Sequence, residues 1–406
     1  MATEKLELGF DENAPGNWFV LDNAVRGLLD NTVYVLSGAQ FYDVTQYMTD
    51  VSMSRGKNRE LDRFNAGHLT AKFNNKGRIF DPTYSASPFY GQIVPRRSIQ
   101  YSVDNVVQFS GIVDDWDLTY QVDGNSDATV SAYDGFAALT GQTLVAGTAT
   151  SELSGARINK ILDSSGVQWS YAKRLIDVGD ELLQADVIQA NQDVLSYINL
   201  IENTEFGMFY VDKNGRAVWK GRNSISLSTS AVTLADNGTG IRYSGVKVVY
   251  GSELLYNQSY LTRLNGGTAT GNDYTSQAAY GVRTISQTGL LHNTDLQMGN
   301  LAAYLVNNYK NPEFRFESMD FALHDMSLAD RATLLNLDIG GLCKIIFTPN
   351  GITPSIMKYG EIIGIDHDAH FHGDHTMSIR FQTLETQALI LDDTVFGLLD
   401  LNILSY

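Results

Sequence analysis

The sequence predicts a mainly β, multi-domain fold in which an α/β region is inserted between two β-rich parts holding related, β-barrel-like units. Three observations carry this. First, 36 Gly and 21 Tyr in 406 residues favour strands and tight turns over long helices. Second, alternating apolar and polar positions run through residues 32–139 and return after Tyr250, while the intervening stretch turns to helical spacing. Third, Gly111 to Leu139 and Gly360 to Leu389 share one layout. Each opens on a Gly-led apolar strand (Ile112-Val113; Ile362-Ile363) and crosses an acidic turn (Asp123-Gly124-Asn125; His372-Gly373-Asp374). Each then returns as an alternating strand from Thr129 or Thr376 and closes on a Leu. Copies so far apart are no solenoid repeat; they point to pseudo-duplication.

The elements follow in order. Residues 1–30 form an acidic lead-in with Trp18, Phe19 and Val20 as anchors, and no basic or apolar segment there predicts a secretory signal. Residues 31–150 form the first β-rich domain. Leu69, Ala71 and Phe73 alternate with His68, Thr70 and Lys72, and Ile99, Tyr101 and Val103 repeat the pattern. Between them lies a turn-rich loop with Gly77, Asp81-Pro82, Pro88 and Pro95 and the aromatics Phe80, Tyr84, Phe89 and Tyr90. A long loop with so many rings is built to pack against something. Residues 151–245 form the small α/β insertion. Ile158, Ile161 and Leu162 mark one helix ended by Gly166; Val194, Ile198 and Ile201 mark a second; Asn214-Gly215 turns a hairpin within Phe206–Lys220. Residues 246–390 form the second β-rich domain, with one helix at about 294–308. Thr294 and Gln297 have capping-box spacing there, and Pro312 stops the helix. Residues 391–406 are a tail of apolar pairs spaced by acidic residues, which adds to a neighbouring sheet or groove or packs back on its own chain.

Asp50 to Val103, with Arg55-Gly56-Lys57-Asn58-Arg59-Glu60-Leu61-Asp62-Arg63-Phe64, Arg78-Ile79-Phe80-Asp81-Pro82-Thr83 and Ser87-Pro88-Phe89-Tyr90 through Pro95-Arg96-Arg97, resembles the first domain of the siphophage minor tail protein or baseplate hub family. That family shows a GRNRELDRF-like turn, an RRFDPTN-like loop and an SPYYPNIKPRRP-like connection. Its next strand is matched by Gly111-Ile112-Val113-Asp114-Asp115-Trp116. Further matches are Leu255-Tyr256-Asn257 with Thr262-Arg263, Tyr280-Gly281-Val282-Arg283-Thr284-Ile285-Ser286, and an ending from Leu391-Asp392-Asp393 to Phe396-Gly397-Leu398-Leu399-Asp400. The resemblance implies a phage tail hub-like architecture and a structural role in the virion.

A formal charge of −17 lacks the Lys/Arg excess of a nucleic-acid-binding surface, though it suits either plain solubility or a channel that DNA passes without sticking. No apolar run is long enough for a membrane anchor. Cys343 sits in an apolar run and reads as a small core residue. His367, His370, His372 and His375, mixed with aspartates, are candidate metal ligands; the alternatives are an ordinary polar hairpin turn or a pH-sensitive interface. Asp114, Asp115 and Asp117 could pair as glycosidase carboxylates, but on one strand nothing separates their environments, and a strand edge or subunit contact is the expectation. Arg55, Lys57, Arg59 and Arg63 lie beside Glu60 and Asp62 and read as ion pairs, within the chain or between subunits. No phosphate loop, nucleophile elbow, metalloprotease helix or dinucleotide fingerprint is present, so no catalytic residue and no cofactor is expected.

The resemblance thus implies a homotrimer at the phage tail tip, assembled in the host cytoplasm. It would join the distal tail protein or tail-tube ring to the C-terminus of the tape measure protein and to other minor tail or fibre proteins. Its work would be host attachment and genome ejection, with genomic DNA passing through unbound. Two similar units per chain, six per trimer, would match a six-fold tube. Phe80, Tyr84, Phe89, Tyr90, Arg96, Arg97 and Trp116 are the expected interface anchors. The rival readings are a tail-associated cell-wall hydrolase and a host-surface carbohydrate-binding adhesin.

Overall fold

A computed structural model describes residues 2–10, 40–167, 169–224, 231–371 and 373–384. Trp18, Phe19 and Val20, His372 and the tail expected at 391–406 lie outside the described residues.

The first third is strand after strand: β1 (Glu4–Phe10), β2 (Gln40–Asp43), β3 (Met48–Gly56), β4 (Asn65–Asn74), β5 (Ser98–Val103), β6 (Val106–Tyr120) and β7 (Ser126–Tyr133). Strict alternation explains them: every second residue of β4 from Gly67 to Phe73, and of β7 from Ser126 to Ala132, is buried. After a short α1 (Gly135–Leu139) comes the insertion. It holds β8 (Gly147–Ala149), β9 (Glu152–Leu153), α2 (Ser154–Asp163), β10 (Arg174–Ile176), β11 (Leu182–Leu183), β12 (Asp186–Ile188), α3 (Val194–Glu205), β13 (Met208–Val211) and β14 (Ala217–Lys220). Asp193 caps α3 by accepting from Ser196 N, and β13 and β14 form the hairpin turned at Asn214-Gly215, where Gly215 has φ +75°.

The remainder comprises β15 (Val232–Ala235), β16 (Gly245–Gly251), β17 (Gln258–Arg263), β18 (Thr268–Asn272), α4 (Tyr274–Tyr280), β19 (Thr284–Leu290), α5 (Asp295–Tyr309), β20 (Glu313–Ala322), α6 (Leu328–Asn336), β21 (Leu342–Phe347), β22 (Ile356–His370) and β23 (His375–Leu384). Helix α5 starts on the expected capping box, with Thr294 Oγ1 accepting from Gln297 N. Where the sequence suggested one helix in this region, three are present: α4 and α6 join α5.

Thirteen strands from both ends of the chain make one sheet, ordered β16-β20-β23-β22-β3-β4-β7-β6-β5-β1-β2, with β21 beside β22 and β15 beside β21. Its pairings repeat. Strands β3, β4, β5, β6 and β7 pair as β3–β4–β7–β6–β5, and β16, β20, β21, β22 and β23 pair as β16–β20–β23–β22–β21, all antiparallel. In the hairpins the register agrees residue by residue. Val113 opposes Ala132 and Ile362 opposes Phe381, each 249 residues further on, and both long strands bulge at the next residue. The chain leaving each bulge is also the same. Arg96 N donates to Val113 O and Gly340 N to Ile362 O (both 2.7 Å), with φ +68° at Arg96 and +76° at Gly340. The two units meet where β3 of the first pairs with β22 of the second.

Three apolar cores result. The largest follows the long sheet, from Leu6 and Val51 through Phe109 and Val130 to Ile365 and Phe381. A second packs α2 and α3 on β13 and β14, with Trp219, Tyr197 and Ile201 fully buried. A third seats Leu301, Leu305 and Tyr309 of α5 against Leu261 and Leu290 of the β17–β18–β19 sheet.

Candidate functional site

The histidine-rich hairpin is the chemically densest segment, and strand alternation splits it. His367 and His375 point inward and are fully buried; His370 points outward. His367 Nδ1 lies 2.9 Å from His375 Nε2 in a ring–ring hydrogen bond, and His375 Nδ1 lies 3.2 Å from the carboxylate of half-buried Glu4 on β1. His375 N donates to His324 Nδ1 at 3.3 Å. Burial holds His367 well below the ordinary imidazole range, and the positive charges of Arg55 and Lys213 nearby lower it further, so it is neutral. No substrate reaches this chain of groups; it ties β1, β22 and β23 together. On the other face His370 bonds to Asp50 of β3, which raises its pKa. Among the described residues no group of three or more His, Cys, Asp or Glu is arranged to hold a metal ion.

The basic run forms pairs within the chain. Buried Arg55 bonds to Asp338 at 2.8 Å, Arg59 to Glu253, and Lys57 Nζ donates to the Glu60 carbonyl at 2.5 Å. Glu60 itself accepts from Arg315 and from Tyr309 OH, both at 2.8 Å. Arg63 is exposed.

The aromatic loop lies on its own sheet. Phe80 is fully buried, stacked on Phe73 (centroids 4.5 Å) and Trp116 (5.7 Å), and Phe89 packs against Phe80 and Phe10. Such stacked pairs stabilise by about 0.5–1.5 kcal/mol beyond burial. Phe80 therefore has no surface to offer a neighbour. Tyr84 is half-covered beneath Arg78, while Tyr90 and Arg96 face outward, and Arg97 bonds to Gln92 at 3.2 Å. Asp114, Asp115 and Asp117 are exposed on the last part of β6.

Between the second and third cores an open cavity of about 1120 Å³ is lined by Lys57, Glu60, Arg222, Glu361 and Tyr304, among others. Burial pushes Glu202 and Glu361 up to about 7, and it lowers Lys57. Charges of both signs face each other here, as in Arg222–Glu181 at 3.1 Å. Arg222–Glu181 neutralises one such pair, while burial keeps Glu202 and Glu361 able to hold a proton near neutral pH.

The chain resembles a tail protein from Neisseria meningitidis at a TM-score of 0.61, with 10% identity over 94% of this chain and 97% of that one. The fold is that of phage tail proteins. A 43 kDa tail protein of prophage MuSo2 from Shewanella oneidensis follows at 0.56, with 13% identity over 85% and 94%. An E. coli type VI secretion component, described as structurally similar to the T4 tail proteins gp27 and gp5, reaches 0.50, with 11% identity over 84% and 74%. No protein-family profile matches the sequence, and no curated protein does.

Partners far apart in sequence were invisible to sequence reasoning. Glu4 meets His375, and Arg55 meets Asp338, across most of the chain. No spacing rule connects such residues.

Proposed function

We propose that this chain is a structural subunit of a phage tail, a hub at the tail tip that forms a homotrimeric ring. The ring would cap the end of the tail tube, and tape measure, fibre and other minor tail proteins would attach to it. The repeated pairing of β3–β7 and β16–β23 carries the reading. Two like units in one chain are what a three-fold ring needs to present six like positions to a six-fold tube. The tail-protein fold supports it. An interior of acidic chains would repel the phosphate backbone and let DNA slide. Native mass measurement of the purified chain from low to tens of micromolar tests this. A species of three times the chain mass is expected, and it should bind tail-tube ends in electron micrographs. A protein that stays monomeric throughout and ignores tube ends refutes it.

A further inference from the structure

The internal junction between the two units leaves each with one unmatched edge, and the two edges complement each other. At the junction β3 lies along the second half of β22, from Asp50 opposite His370 to Gly56 opposite Gly364. The first half of β22 is taken by β21, and the first half of β6 by β5 in the same way. Beyond Val113, among the described residues, the side of β6 facing away from β7 has no backbone partner. The side of β16 facing away from β20 has none either, for β16 ends the sheet. By the shared register β16 is the counterpart of β3. Val246 opposes Met319, which opposes Ile379; Val51 opposes Ala71, which opposes Val130, the residue 249 before Ile379.

We infer that β16 of one copy adds to the free half of β6 of the next, repeating the β3–β22 seam between subunits. This deepens the ring reading and rests on it. Transferring the internal register places Gly245 opposite Gln121, Val246 opposite Tyr120, Lys247 opposite Thr119, Val248 opposite Leu118, Val249 opposite Asp117, Tyr250 opposite Trp116 and Gly251 opposite Asp115. Strand addition of this kind satisfies the backbone groups of both edges.

Three features of the free edges support it. In the internal seam Val51, Met53 and Arg55 and the facing Ile365, His367 and Ala369 are all buried. Their counterparts Val246, Val248 and Tyr250, and Trp116, Leu118 and Tyr120, are apolar or aromatic yet only half-buried or exposed, with Tyr250 at 71% and Tyr120 at 53%. Seating one row on the other would cover both. On the outward faces Lys247, held 2.9 Å from its own Glu317, stands on one edge and the exposed Asp115 and Asp117 on the other. Finally, Gly56 must be glycine, because a Cβ there would collide with the carbonyl of Ile363, whose counterpart is Asp114. Gly251 holds the matching place on β16, where an added Cβ would meet no described residue within 4 Å beyond its chain neighbours. The protomer leaves room for a side chain there, and the seam would not.

Two experiments test the seam. In the full chain, Lys247→Cys with Thr119→Cys puts paired positions about 4.5–5.5 Å apart across the seam, within disulfide reach. Mild oxidation should give covalent trimer on non-reducing gels. Lys247→Cys with Asp115→Cys, about 13 Å out of register, should not. Gly251→Val should leave the protomer's Tm unchanged and weaken trimer formation at least tenfold. A trimer that forms in solution yet neither cross-links in register nor responds to Gly251→Val overturns the seam and leaves the ring standing. The absence of any trimer overturns both.

Discussion

A buried imidazole changes what pH does to the fold. His367 packs against Tyr101 and bonds to His375, which in turn meets Glu4 and His324; the positive charges of Arg55 and Lys213 lie near, and its folded pKa lies well below the ordinary 6.5. Unfolded, it binds a proton as pH drops below about 6.5, and folded it does not. Stability attributable to this residue is therefore full above pH 6.5 and falls as the solution is acidified, by up to about 1.4 kcal/mol per pH unit. The carboxyls of Glu202 and Glu361, at about 7, act oppositely: the folded state takes up their protons first, so their contribution grows as pH falls from about 7, is full below about 4.5, and is lost as pH rises through 7. The comparison must therefore be between variants. His367→Gln keeps a partner for His375 and removes the titration. Urea melts at pH 8 and pH 5.5 should show the wild type losing roughly 1 kcal/mol more than the variant on acidification. Equal losses would show that His367 does not titrate on unfolding. The sequence exposed the histidine density, but only alternation within a formed hairpin decides that His367 and His375 turn inward while His370 meets Asp50 outside.

Among the elements, legibility follows length and the contrast between faces. Helix α5 is legible through the Thr294–Gln297 capping box and the apolar spacing of Leu301, Tyr304 and Leu305; the box is in place, Leu301 and Leu305 are buried, and Tyr304 is half-buried. Helices α4 and α6 did not. Of the seven residues in α4 only Ser276 is buried, so no apolar stripe exists to be seen. In α6 the inward face is Arg331, Leu334 and Leu335, and a charge in mid-stripe reads as a surface position until its partner, Asp104 on the β5–β6 turn, is known. Both do begin on a capping residue, Asp273 and Ser327, a signal that in short segments turns share. The α5 cap should matter because its helix roofs the third core. Thr294→Ala removes the hydroxyl acceptor and is expected to cost about 1 kcal/mol, with Thr294→Ser close to neutral. Thermal unfolding with no difference between the three would mean that the α5 start is held by packing alone. The strands were legible by period, yet the pairing of β3 with β22, over 300 residues apart, is not a property of either strand's pattern.

For the whole molecule, the duplicated hairpin was the most far-reaching feature in the sequence, and its register extends to matching bulges and to the left-handed residue that precedes each. Between those matched parts the two units diverge: the loop after β4 became an aromatic lid, whereas the chain between β16 and β20 holds α5 and a sheet of its own. Net charge sets how such copies meet. Each brings −17, so approach is opposed over distance, while the proposed seam would bring Lys247, already beside Glu317, close to acidic β6 only at short range. At about 0.01 M ionic strength the Debye length is near 30 Å and the repulsion is felt across the whole approach; at about 0.15 M it is near 8 Å. Raising salt between these limits should therefore speed trimer association, because the long-range term is screened first and the apolar rows are untouched. Mass photometry after dilution and re-concentration reads the rate. Lys247→Glu should slow association at every ionic strength, and Lys247→Glu with Asp117→Lys should recover it. If salt instead slows association of the wild type, local attraction governs the encounter and the acidic surface is too distant from the seam to matter.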